Sequence, residues 1–465
     1  MNETGAETRR TTHRLHDQLE AVVELLRRPD DEPLSSSAQS VLCEQLDELH
    51  PADIAFILES LPLDDRLAIW QLVRADRDGE ILLEVSDAVR DSLIADMDRH
   101  EILAAVEPLD ADELADLVED LPTSVLPELM ASLDSQQRQQ VQSALSYKED
   151  ELGALMDFEM VTIREDVSLE VVLRYLRRWD ELPAQTDKLF VINQDNLLTG
   201  VLPLHWLLVN SPDKMVSEVM APDVNTFHPT DDAYEVAQAF ERYDLVTAPV
   251  VDHRGRLIGR ITVDAMVDVI REESEAEMLG RAGLREDEDI FASVWASLRN
   301  RWLWLAVNLM TAFIASRVIS LFEGSIERLV ALAALMPIVA GIGGNSGNQT
   351  ITMIVRAMAL NQISPDSAKR LWRKELTVSL LNGLVWGGVI GVVAWLLYDS
   401  AALGLVMTAA MTLNLLLAAF AGVGIPMMMT RFGRDPALGS SVLITAMTDS
   451  GGFFIFLGLA TIFLM

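Results

Sequence analysis

From about Trp302 to Met465 the chain is a succession of long apolar runs separated by short polar turns. A helix needs ~20 mostly apolar residues to cross the hydrocarbon core of a bilayer. Five stretches qualify: about Trp302–Phe322, Ile326–Ile342 with an extension, Leu376–Tyr398, Ala402–Met429 and Ser441–Met465. Upstream the period changes. Over residues 37–152 apolar positions recur at helical spacing, as in "ELADLVEDL" and "VLPELMASL", which predicts short amphipathic helices. Within them "LHPADIAFILESLP" (49–62) aligns with "LDADELADLVEDLP" (109–122) at an offset of 60, the mark of a helical repeat array. Over residues 153–272 short β-type runs alternate with helices. There "KLFVINQDNLLTGVLPLHWLL" (188–208) aligns with "TAPVVDHRGRLIGRITVDAMV" (247–267) at an offset of 59, which predicts two similar α/β units. Residues 1–36 are polar and read as a disordered tail.

Charge is divided as sharply as hydropathy. The 465 residues carry a formal net charge of −35. Residues 291–465 hold 11 Lys and Arg against 7 Asp and Glu, so the first 290 hold 25 against 64. An acidic half is joined to an apolar one. An acidic surface on this scale repels phosphates and argues against nucleic acid. It suits cations, or it serves solubility alone. Loop charge orients the helices, because basic loops stay cytoplasmic. Arg356, Lys369, Arg370, Arg373 and Lys374 follow the second helix, and Arg431 and Arg434 follow the fourth. The first and third connections hold only Arg328. The acidic half is therefore expected in the cytoplasm and Met465 outside. The single cysteine, Cys43, excludes an intrachain disulfide, and the seven scattered histidines form no zinc pattern. The first residues, "MNETGAETRRTTHRLHDQLE", have no apolar core and do not read as a cleaved signal peptide.

Three charged residues stand out in the apolar half. Arg317, in the first helix, reads as a side chain snorkelling to the outer interface. Glu375 is expected to open the third helix near the cytoplasmic surface, where a carboxylate at a helix N-terminus is favourable. Asp449 is the only charged residue between Pro436 and Met465. An aspartate near the bilayer centre costs ~2.5–3.5 kcal/mol, so such groups usually face a bundle interior or a watery path. The stretch "MPIVAGIGGNSGNQTIT" (336–352) adds amides and a hydroxyl at membrane depth. Pro337 is expected to break a helix there, leaving irregular backbone that only protein or a watery cavity can cover. Its oxygen-rich groups suit a hard, hydrated cation; helix packing through small residues would explain the glycines but not the two asparagines. The glycine string lacks a Walker lysine, and Ser346 sits where a Rossmann motif needs its third glycine. In the acidic half, Asp112 and Asp116 lie one turn apart on one helical face, where water or a cation must offset their repulsion.

Together these features resemble the MgtE family of magnesium channels over nearly the whole chain. "PIVAGIGGNSGNQ", "KELTVSLLNG", "RDPAL" and "TDSGG" look like the family's membrane signatures, and "APVVDHRGRLIGRITVD" like its second CBS domain. The resemblance implies a multidomain membrane protein. It has an α-helical repeat N domain (37–152), an α/β tandem CBS pair (153–212 and 213–272), a connecting helix (273–300) and an all-α, five-helix transmembrane domain (301–465). It implies a homodimer among the lipids of the cell inner membrane. It implies passive uptake of Mg²⁺, with Asp449 as the pore carboxylate and Asn345, Asn348 and Gln349 as nearby polar walls. It also implies gating by cytoplasmic Mg²⁺ bound at Asp112, Asp116, Asp232, Asp244, Asp268, Glu273 and Asp435. Ala265, Ala276 and Tyr234 stand where the family carries acids, which predicts weaker sensing. Ala265 also fills the aspartate position of the Thr-x-x-Asp stretch that meets ribose in nucleotide-binding CBS domains, which counts against ATP at this pair.

Two other classes remain as alternatives. A transporter chiefly for Mn²⁺ or Co²⁺ calls for a softer ligand beside Asp449, and Met447, two residues away, is the one nearby. A membrane-anchored CBS nucleotide sensor would bind ATP without ion flux. An enzyme finds no support, since no nucleophile–base pair or metal cluster has catalytic spacing.

Overall fold

The computed structural model describes residues 3–26, 34–282, 284, 290–291, 293–359, 363, 365–433 and 439–465. The chain divides after Ser274 into two units, the second holding the helices from Ser293 onward.

The first unit begins with helices α1 (Glu3–Leu26), α2 (Ser36–Glu48), α3 (Pro51–Glu59) and α4 (Leu63–Trp70). A turn at Ala75–Arg77 leads into α5 (Asp78–Glu84), followed by α6 (Asp87–Ile94), α7 (Arg99–Val106), α8 (Ala111–Val118), α9 (Leu126–Ser132) and α10 (Ser135–Ala144). The segments starting at 51, 63, 75, 87, 99, 111 and 135 fall on a twelve-residue grid. Helices this short are marginal alone and depend on caps and packing. Asp98, Asp110 and Asp134 supply capping boxes with Glu101, Glu113 and Gln137, which satisfy orphan N–H groups at each start. Ile54, Ile57, Leu58, Ile69, Ile81, Leu93, Val106 and Leu117 fill one continuous core.

The helix ends are tied by a second device. Arg66 donates from Nε to the Leu58 carbonyl at 2.9 Å and from Nη2 to that of Leu61 at 3.2 Å. Arg90 bonds Leu82 and Val85 in the same way, at 2.8 and 3.2 Å. Arg138 bonds Met130 and Leu133, at 2.7 and 2.9 Å. Each guanidinium closes the C-terminal carbonyls of the preceding helix, which a cation also favours through the helix dipole. The matching position in α8 is the buried Leu114. The true repeat is therefore a helix pair of about 24 residues. The sequence offset of 60 aligns α3, the first helix of one pair, with α8, the second of another. The expected disorder of residues 1–36 also fails for Glu3–Leu26, which is helical. Val22 and Leu26 are buried in the common core, a use of apolar side chains that a polar average conceals.

The unit continues with β1 (Thr162–Arg164), α11 (Leu169–Leu176), β2 (Lys188–Ile192), β3 (Leu198–Pro203), α12 (Leu204–Val209) and α13 (Val216–Val219). It closes with α14 (Ala233–Tyr243), β4 (Thr247–Val251), β5 (Leu257–Thr262) and the start of α15 (Val263–Ala282). β1 pairs parallel with β2, and β2 antiparallel with β3, Phe190 opposite Val201. β4 pairs antiparallel with β5, Pro249 opposite Arg260. The offset of 59 carries through to the backbone. The two hairpins slip register at Val191/Ile192 and at Val250/Val251, and their left-handed turn residues are Asn196 (φ 60°) and Gly255 (φ 75°). The expected connecting helix over 273–300 is not one element. With no breaker in "REESEAEM", α15 runs on from the second α/β unit to Ala282, and residues from Val294 belong to the next helix.

The second unit holds α16 (Val294–Ser320), the short α17 (Glu323–Arg328), α18 (Ala331–Ala359), α19 (Pro365–Tyr398), α20 (Ala401–Arg431) and α21 (Ser440–Leu464). Four of these, α16, α19, α20 and α21, contain stretches long and apolar enough to cross a membrane. α18, expected as another crossing helix, is diluted by its glycines and amides. It is nevertheless helical throughout. Pro337 does not break it, and the expected irregular backbone over 336–352 is absent. Proline is tolerated in such helices because neighbouring helices re-satisfy the freed backbone group. α20 is the most buried of the four. Close approaches at Gly343/Asn414 and Gly347/Ala418 lay α18 parallel to it, while α21 runs antiparallel to α18 through Gly347/Ile444.

Arg66 is fully buried, so Arg66→Ala leaves two helix-end carbonyls unpaired beside a cavity. We expect a loss of about 2–4 kcal/mol, read as a lower denaturant midpoint for the helical-repeat transition.

Candidate functional site

Helical geometry decides which polar groups of the membrane unit meet. Gly347 lies where α18 crosses α21; a Cβ there would stand 2.9 Å from Ile444. One turn on, Ser441 Oγ donates to Asn348 Oδ1 at 2.9 Å, so Asn348 is partly committed to an interhelical bond. On the other side of the crossing, a Cβ at Gly344 would lie 3.6 Å from Thr448 Oγ1. Asn345 and Asp449 each follow these contact residues by one position, which brings the amide and the carboxylate to the same crossing. Asp449 is half-buried, whereas Asn345 and Gln349 are exposed on the single chain. Among the described residues no three His, Cys, Asp or Glu side chains converge to hold a metal. One carboxylate flanked by amides accepts hydrogen bonds from a cation's water shell, the form in which Mg²⁺ is most readily held.

One expectation changes here. Glu375 does not open its helix, because α19 begins at Pro365. The carboxylate is buried instead, with Thr350 Oγ1 a long 3.5 Å from Oε2 and Lys374 Nζ 3.4 Å from Oε1. Arg317 is exposed, its guanidinium 4.9 Å from the centre of the Phe313 ring. A third residue escaped the sequence reading. Asn414, on α20, is fully buried and donates from Nδ2 to the Val339 carbonyl at 2.9 Å. Among the described residues its Oδ1 has no hydrogen-bond partner, a deficit of roughly 1–3 kcal/mol. An asparagine within the hydrophobic run 401–431 was a visible signal.

In the first unit the acidic candidates separate into two groups. Asp112 and Asp116 lie on α8, held by the capping box of Asp110 with Glu113. Asp112 is half-buried; burial, then the Asp157 charge, pushes its carboxyl from 3.8 up to about 7. Crowding by protein raises Asp116 as well, opposed by Arg90 and reinforced by Glu272, Glu113 and Asp268. Asp116 is exposed, so water screens much of that penalty. Burial likewise raises Asp268 and Glu272. Two α15 acids act on Asp116, Asp268 and, one turn on, Glu272, which the i, i+4 spacing could have suggested. Asp157 was also missed. It pairs with the buried Arg260 at 2.7 Å, and 103 positions separate the two residues. Asp232 caps α14, accepting from the Glu235 N–H at 2.8 Å, and Asp244 ends that helix in a left-handed conformation at φ 52°. Glu273 lies on α15. Asp435 lies outside the described residues. Ala265 packs against the core of the second α/β unit and offers no carboxylate.

A polar-lined membrane helix bundle preceded in the chain by paired α/β units and an acidic helical array defines a multidomain membrane transporter. The MgtE family model, described as a divalent cation transporter, matches residues 336–459. The model of the MgtE intracellular N domain matches residues 49–150, and that of the CBS domain residues 216–272. The chain is 32% identical to the magnesium transporter MgtE of Thermus thermophilus, over 93% of its own length and 97% of that protein. It is 28% identical to the Bacillus subtilis magnesium transporter MgtE, over 90% and 93%. A crystal structure of the cytosolic domain of the Mg²⁺ channel MgtE in complex with ATP superposes with a TM-score of 0.45. The two share 32% identity, and the match covers 50% of this chain and 95% of that one. The chain belongs to the MgtE family, whose members are transporters and not enzymes.

An acid whose pKa rises on folding binds an extra proton in the packed form. Its packing is strongest below about pH 4 and weakens as the pH climbs to about 7. Without divalent ions, Asp112→Asn should stabilise the cytosolic unit at pH 8 by about 2 kcal/mol, allowing for its partial exposure, and by nothing at pH 4. Denaturant unfolding at the two pH values checks this.

Proposed function

We propose that this protein is a Mg²⁺ channel of the cell inner membrane that admits the ion passively and closes when cytoplasmic Mg²⁺ is high. The observation that carries the reading is Asp449, the lone carboxylate of α21, set at the crossing with the amide-bearing α18. Mg²⁺ sheds water reluctantly, and a carboxylate with neighbouring amides can hold it through that water. Asn345 and Gln349, exposed on the single chain, suit a homodimer in which two copies of Asp449 face one axis. Mn²⁺ or Co²⁺ is a weaker fit, since Met447, two residues away on a helix, points to a different face from Asp449.

Gating follows from the same chemistry in the cytosolic half, with the N-terminal domains inside and Met465 outside. Crowded carboxylates around Asp112, Asp116, Asp268 and Glu272 repel one another, with Arg90 and Arg260 as partial offsets. Cytoplasmic Mg²⁺ then favours the compact form by binding it more tightly than the open one. Ala265, Ala276 and Tyr234 remove acids from these surfaces and weaken the response.

Mg²⁺ flux into proteoliposomes tests the pore. Asp449→Ala and Asp449→Asn should each lower flux at least about tenfold in protein that remains folded. Native flux in both variants would remove Asp449 from the ion path.

A further inference from the structure

The side chain of Asn414 occupies the slot between two helices of the ion path. A Cβ at Gly343 of α18 would meet its Nδ2 at 2.2 Å, and one at Gly452 of α21 would meet it at 2.6 Å. The amide therefore fills a space that only glycine leaves open on both sides. Its Nδ2 donates to the Val339 carbonyl on α18, fixing its position along that helix. Gly343 lies two residues before Asn345, and Gly452 three residues after Asp449. The thickness of the Asn414 side chain thus governs how closely Asn345 and Asp449 approach.

Packing alone does not call for an amide at this point. A leucine has the same branching at Cγ and no polar atom to strand in a bilayer interior. Asn414 leaves Oδ1 buried with no partner among the described residues, and an unsatisfied buried group of this kind demands a role beyond stability. We propose that Asn414 is a positioning residue of the ion path, whose amide sets the separation of α18 and α21 and so the fit of the hydrated cation between Asn345 and Asp449. This rests on the reading of Asp449 as the pore carboxylate.

The test uses the full chain in proteoliposomes and compares influx of Mg²⁺ with that of Ca²⁺, which sheds water more readily. Asn414→Leu keeps the branching at Cγ, with bulkier methyl ends, and removes the polar atoms; Asn414→Asp keeps both shape and volume and removes the amide donor. Both should lower Mg²⁺ flux at least about tenfold and shift the Mg²⁺:Ca²⁺ flux ratio at least about threefold. The detergent-purified Asn414→Leu and Asn414→Asp proteins should remain monodisperse. A flux that falls only in step with the folded fraction, at an unchanged ion ratio, makes Asn414 a packing group and overturns the proposal. Should Asn414→Leu fail to fold, Gly343→Ala displaces the same amide and should shift the ratio likewise. Failure of both to fold assigns Asn414 to stability alone and also overturns it. Asp449→Asn, measured alongside, reads the pore assignment separately: native flux there removes the pore carboxylate, whereas an unmoved ratio in the Asn414 variants removes only the positioning role.

Discussion

A polar atom inside a bilayer has no water to turn to, and the membrane unit is organised around that constraint. α18 carries Asn345, Asn348, Gln349 and Thr350 on about two turns that also hold Gly343, Gly344 and Gly347. Its polar groups are tied outward in three directions. Asn348 bonds Ser441 of α21, the Val339 carbonyl receives Asn414 of α20, and Thr350 approaches the buried Glu375 of α19. The glycines make room for these ties, since a Cβ at Gly347 would press on Ile444 and one at Gly343 on the Asn414 amide. The hydrophobic effect cannot draw helices together in lipid, so close packing and these bonds carry the association. Among the described residues Asn345, Gln349 and Asp449 lie outside these ties, as the proposed ion site requires.

The cytosolic unit faces the opposite difficulty, too much like charge in water. Three of its arginines are turned inward. Arg66, Arg90 and Arg138 close helix ends through backbone carbonyls. Arg90 also bonds Asp120 at 2.9 Å while it holds Leu82 and Val85. In α8 the corresponding position is Leu114, so the helix that bears Asp112 and Asp116 has no guanidinium of its own. The acidic contact between α8 and the residues near Asp157, Asp268 and Glu272 is therefore left with incomplete compensation. In the proposed gating a divalent cation is the small charge that would complete it, and the same preference for oxygen ligands and retained water would serve at Asp449.

Much of this was legible from order along the chain. Periodicity located the long apolar helices, the repeat at 59 and the helical array, because burial imposes its period on local sequence. Asp449 was conspicuous because nothing near it in sequence is charged. The failures were of another kind. The 24-residue helix pair was hidden behind an offset of 60 because its marker, one arginine per pair, acts through carbonyls five and eight residues back and is missing once. Pro337 and the glycines suggested broken backbone, but lipid penalises open hydrogen bonds so heavily that α18 stays helical.

The sequence by itself determined where the chain is apolar, where it is acidic, which residues form each helix face and which carboxylate lies alone in the membrane. These are properties of short windows, in which hydrophobicity and charge act directly. Only the tertiary structure decided which polar groups meet. Asp157 finds Arg260 across 103 positions, Glu272 acts on Asp116, and Asn414 enters the slot between Gly343 and Gly452. Such pairings depend on helix rotation and crossing, which packing fixes to within an ångström and which no local pattern records.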